Sequence, residues 1–133
     1  MTRKRFAAIL VIAAFVPVVA FSECKDQEGT IESLYKNCFK PRLDESNKKL
    51  NQEVQAVASL LSSHGRTKGT IAADWFKDSQ AAWERYRYLF CEVRSISEVG
   101  PQSSRGLSGV ECVIDLNEKR LTELRELQKR LPP

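Results

Sequence analysis

The stretch from Gln80 to Glu92, Gln-Ala-Ala-Trp-Glu-Arg-Tyr-Arg-Tyr-Leu-Phe-Cys-Glu, most restricts what this chain can become. Phe76, Trp83, Tyr86, Phe90 and Val93 follow one another in steps of three and four, with Ser79 filling the one polar place, and that is the spacing of one helix face. Aromatic rings each bury up to ~150–250 Å². The spacing therefore predicts a central helix whose ring-bearing face, with Trp83, Tyr86, Arg87 and Phe90 as structural residues, packs into the core. Cys91 stands near its end, placed to tie the helix to another segment.

The chain begins Met-Thr-Arg-Lys-Arg-Phe and then carries no charge from Ala7 to Phe21. A basic head, an apolar run shorter than the ~20 residues a bilayer span needs, and small residues at Ala20 and Ser22 make residues 1–22 a secretory signal peptide. Cleavage after Ser22 leaves a single domain, 23–133, with no stable membrane anchor. Arg3, Lys4 and Arg5 would leave with the leader, so 21 basic residues become 18 against 17 acidic ones. The basic character thus belongs largely to the precursor, and no nucleic-acid partner follows from it.

Four cysteines in an exported chain predict two disulfides. Sequence alone permits three connectivities. Pairing Cys24 with Cys38 and Cys91 with Cys112 is favoured, because each pair flanks a short local excursion. A metal site is disfavoured: there is no C-x-x-C spacing, and His64 is the only histidine.

Thr30 can cap a short helix bearing Ile31, Leu34, Tyr35 and Cys38, which Pro41 would interrupt or restart. Leu43, Asn47, Leu50, Val54, Val57 and Leu61 then form the seam of a longer helix. Thr70 is a candidate cap for the central helix, read as running to about Arg94. Ser95 to Gly109, rich in Ser and Gly, reads as a long irregular loop whose base the Cys91–Cys112 bond would close. Ser108 and Glu111 read as a capping box that starts the last helix, with Val110, Ile114, Asn117, Leu121 and Leu124 on its seam. No strand-like alternation occurs. The expected fold is all-α: an antiparallel bundle of three long helices with a short N-terminal helix stapled to it.

Catalytic constellations are not evident. Carboxylates are dispersed along polar helix faces, Ser103 and Ser104 have no base nearby in sequence, and no glycine-rich phosphate loop follows a strand. The expectation is a non-enzymatic protein without cofactor or metal. Arg87 and Arg120 are placed to border the core, reaching across it or covering aromatic surface with their stems.

Glu23-Cys24, Cys38, Leu50-Asn51, the run from Gln80 through Trp83, Tyr86 and Arg87 to Cys91, and Cys112 with Arg120 and Leu124 downstream together resemble the LprI-type lysozyme-inhibitor domain. Tyr88 departs from the family pattern, which usually has an acidic residue after the arginine. The resemblance covers essentially the whole chain after the leader. It implies a disulfide-stabilised helical protein, periplasmic or secreted, that binds a protein partner and, in some members, inhibits lysozyme. On that expectation the tip residues Ser103, Ser104, Arg105 and Gly106 form the partner-binding surface, with Arg105 offering a cation to an acidic cleft. A structural or assembly component of the cell envelope, or an immunity protein against a cell-wall toxin, is the alternative.

Overall fold

A computed structural model describes Cys24 and residues 28–63, 68–97 and 102–131, with 68–70 and 102–105 as backbone alone. The expected leader at 1–22, His64, and positions 98–101 of the expected loop lie outside these residues. The described residues form α1 (Ile31–Leu34), a π-helical turn (Tyr35–Phe39), α2 (Lys40–Ser63), α3 (Lys68–Ser97) and α4 (Gln102–Arg130).

Thr30 caps α1 as the sequence indicates, its hydroxyl accepting from the Ser33 amide at 3.2 Å. Pro41 does not break the helix. Lys40 N–H reaches back to the Tyr35 carbonyl, a wider turn than an α-helix makes, and the backbone at Lys40 stays helical (φ −63°, ψ −47°). A proline ring inside a helix clashes with the carbonyl four residues earlier, and its missing N–H leaves that carbonyl unpaired. The π-turn just before Pro41 loosens the backbone where that conflict would fall, so α1 and α2 run on as one rod. The same turn carries Cys38 and Phe39 into the interior.

The long helices form an up-down-up bundle. Ser46 and Asn47 of α2 meet Asn117 of α4, and Glu53 meets Arg125, so these two helices run parallel. The α3 partners of α4 run in the opposite sense: Cys91 with Cys112, Arg87 with Asn117, Gln80 with Arg120. Both favoured disulfides are present, with Cα–Cα distances of 5.8 Å for Cys24–Cys38 and 5.5 Å for Cys91–Cys112. The interior has two apolar parts. Cys24, Cys38, Phe39 and Ile114 fill one end, while Leu50, Val57, Phe76 and Leu124 fill the other.

Two expectations need correction. Tyr86, Phe90 and Val93 are not core: they are 50%, 44% and 64% exposed. The bundle-facing side of α3 is Phe76, Gln80, Trp83, Arg87 and Cys91, about one residue's rotation away. The stretch Ser95 to Gly109 is not a long loop either, since α3 continues to Ser97 and α4 starts at Gln102. Ser108 is consequently not a cap but a buried residue inside α4. Gly109 explains how a glycine there serves the helix: a Cβ would lie 3.3 Å from the Ser95 Cβ, so its absence lets α3 and α4 approach closely beside the Cys91–Cys112 bond.

Candidate functional site

Between the two apolar ends lies a polar layer, and it is the most organised chemistry in the described residues. Asn117 is 1% exposed. Its Nδ2 donates to Ser46 Oγ at 3.0 Å and to Asn47 Oδ1 at 2.9 Å, while its Oδ1 accepts from Arg87 Nη1. Ser46 Oγ in turn donates to the Leu43 carbonyl at 2.9 Å. An amide is the only uncharged side chain that offers two donors and an acceptor from one planar group, so one residue of α4 holds both α2 and α3. Asn47, already on the α2 seam in sequence, is a member of this network; Asn51 beside it is exposed.

Arg87 and Arg120 both lie against Trp83. Their guanidinium carbons sit 5.0 Å and 5.6 Å from its ring centroid, within cation–π range. Arg120 Nε also donates to Gln80 Oε1 at 3.2 Å, and its Nη1 to Glu123 at 3.0 Å. The two arginines therefore reach across the helices as the sequence allows, with their charged heads as well as their stems engaged. Burial lowers the Arg87 pKa from its ordinary value, with Glu84 opposing the shift, and the group stays charged because an arginine starts so far above neutrality.

Above this layer, a cleft of about 160 Å³ opens between α2 and α4 onto Ser46 and Asn117. Its rim mixes Arg42, Lys49 and Arg125 with Glu45 and Glu118, and it carries no nucleophile paired with a base. Among the described residues no group of three His, Cys, Asp or Glu side chains is placed to hold a metal ion.

The expected partner-binding residues fall in the first turns of α4. Ser103, Ser104 and Arg105 belong to the helix, and Gly106 is exposed. They lie at the end of the bundle where α3 gives way to α4, with the Cys91–Cys112 bond a few turns along α4. A shallow groove beside them is lined by Ile31, Tyr35, Gly106, Leu107 and Val110. Among the described residues this end is helical backbone rather than the long tethered loop the composition suggests.

A family model, described as lysozyme inhibitor LprI, matches residues 24–124. The chain belongs to the LprI lysozyme-inhibitor family. Comparison with curated proteins and with solved structures finds no match. The LprI match takes in both disulfides, the Asn117 network, the Trp83 layer and the hairpin end. The family is one of lysozyme inhibitors, which implies a protein partner.

Sequence reasoning missed Ser46 and Gln80 as buried polar residues and Trp75, Leu89 and Ile96 as exposed apolar ones. A signal for the first error was present. If Cys91 must face α4, then Arg87, Gln80 and Phe76, at helical spacing before it, must face the bundle too.

Proposed function

We propose that this LprI-family protein is exported, cleaved after its leader, and protects peptidoglycan in the periplasm or outside the cell by binding a lysozyme-like muramidase. The observation that carries the reading is the family match over 24–124, which takes in both disulfides and all of the bundle but the end of α4. The absence of a membrane-crossing helix among the described residues is compatible with it.

Muramidases cleave with carboxyl groups set in a cleft. A cation delivered by a rigid projection pairs with such a carboxylate at low ordering cost, because the projection is already fixed before contact. In this reading the start of α4 supplies the projection, and Arg105, between Ser104 and Gly106, supplies the cation. Dose-dependent, saturable protection of a peptidoglycan suspension from a c-type or g-type lysozyme is the expected result with the oxidised protein. Arg105→Ala should weaken that protection at least tenfold, equivalent to ~1.4 kcal/mol. Undiminished protection by the variant would remove Arg105 from the contact, and no protection by the parent protein against either enzyme would refute the inhibitor reading.

A further inference from the structure

The side of α3 turned away from the bundle is apolar along most of its length. Ile71, Trp75, Ala82, Tyr86, Leu89, Val93 and Ile96 recur in heptad-like steps, broken only by Asp78. Exposure is 71% at Trp75, 64% at Val93 and 70% at Ile96. Tyr86 and Phe90 are already stacked there, with ring centroids 5.4 Å apart, so part of the surface is ordered before anything binds it. With large side chains of roughly 150–250 Å², these exposed fractions amount to several hundred Å². That matches the largest ~300–600 Å² patch found on a typical monomer, one often functional, and is a sizeable share of the ~800 Å² each partner contributes to a standard interface.

The stripe is also arranged symmetrically. Ala82, its smallest member, is central: Trp75 stands seven residues before it and Leu89 seven after, Ile71 eleven before and Val93 eleven after. A two-fold axis beside Ala82 would place Trp75 of one copy on Leu89 of the other, Ile71 on Val93, and let the backbones approach where the side chain is small. Asp78 and Arg85, both exposed, lie on the same flank of the stripe, four residues before and three after Ala82. In an antiparallel helix pair same-flank residues meet, so Asp78 of each copy faces Arg85 of the other. In a parallel pair opposite flanks meet instead, so Asp78 of one copy would not meet Arg85 of the other.

From this geometry we infer that the outward stripe of α3 is the seam of an antiparallel, two-fold dimer of this chain. Both the apolar area and the charge register fit a second copy. The α3 helix, 30 residues long, spans about 45 Å. The antiparallel seam therefore carries the two α3–α4 hairpin ends to opposite ends of the dimer, leaving both clear of it. The inference stands apart from the inhibitor reading, since a dimer forms or fails irrespective of any lysozyme.

The test is sedimentation equilibrium of the oxidised protein, produced with its own leader, over a dilution series. The expected result is twice the chain mass, dissociating on dilution. Trp75→Glu and Leu89→Lys should each yield a monomer with unchanged helical circular dichroism. Asp78→Arg and Arg85→Asp should each weaken the dimer at least tenfold, and the double exchange should restore it, an outcome that only this register gives. A monomer at ~100 μM, far above the ~1 μM expected of the weakest standard-sized interface, would overturn the inference. So would a dimer indifferent to Trp75→Glu, which would place the seam elsewhere, or a monomer whose lysozyme inhibition is lost with Trp75→Glu, which would assign the stripe to the target enzyme.

Discussion

Asn117→Leu should lower the thermal midpoint by about 12–24 °C, although it puts an apolar residue in a buried place. The asparagine is 1% exposed and serves three partners on two other helices. Leucine satisfies none of them. The half-buried Arg87 guanidinium loses its acceptor, and a hydrogen bond to a charged group contributes ~1.5–3 kcal/mol. Ser46 and Asn47 each lose a donor as well, though Asn47 keeps some access to water. A total near 3 kcal/mol follows, and in a domain of about a hundred residues each kcal/mol moves the midpoint by ~4–8 °C. Arg87→Met alone should also destabilise, by stranding the Asn117 carbonyl oxygen and uncovering one face of Trp83. The double variant should be more stable than the sum of the two losses predicts, because neither Arg87 nor the Asn117 carbonyl oxygen is then left without the other, although Ser46 and Asn47 still lack their donor. Strict additivity in thermal melts would show that the Asn117 and Arg87 side chains are not coupled.

This network bears on how far the sequence determines the structure to a reader. The helices, their up-down order and both disulfides follow from helical spacing, turn composition and the position of cysteines, because each of these is a local property. The rotation of α3 does not. Two stripes share that helix, one with Trp83, Arg87 and Cys91 and the other with Tyr86, Leu89 and Val93, and the second is the more hydrophobic. Ranking by ring count chooses the wrong one. The bundle takes Gln80 and Arg87 inward because each has a partner there, Arg120 for the first and Asn117 for the second, and partners on other helices are invisible to a periodicity. The Cys91–Cys112 bond would have fixed the rotation had it been used as a geometric constraint.

The stretch Ser95 to Gly109 fails for a related reason. Serine and glycine disfavour a helix in isolation, by up to ~1 kcal/mol for each glycine, and composition therefore points to a loop. Tertiary contact overrides it: Gly109 gives α3 and α4 room to close, and Ser108 is small enough to be buried at the junction. The residues proposed to bind a partner are expected from composition at the tethered tip of a long loop and instead belong to a helix start.

The contribution of the disulfide to order at the start of α4 can be tested directly. Replacing both Cys91 and Cys112 with alanine should cost about 3 kcal/mol, the value the chain-entropy relation gives for a closed loop of this length, and so lower the midpoint by roughly 12–24 °C. The two cysteines are separated by 21 residues in sequence and are 3% and 1% exposed, so the alanines leave a small void rather than a solvated gap. The Cys24–Cys38 bond, with a separation of 14, has nearly the same entropic worth because closure entropy grows only with the logarithm of length. The two bonds differ in what they hold. Cys24–Cys38 ties the residues before α1 to the π-helical turn, whereas Cys91–Cys112 clamps the last turns of α3 to the start of α4. Hydrogen exchange should separate them: losing Cys91–Cys112 should speed exchange first in 102–109, while losing Cys24–Cys38 should leave those amides protected up to global unfolding. If both double variants instead exchange alike along the whole chain, the bundle opens as one unit, and the hairpin end owes its order to packing around Gly109 and Ile114 rather than to the disulfide.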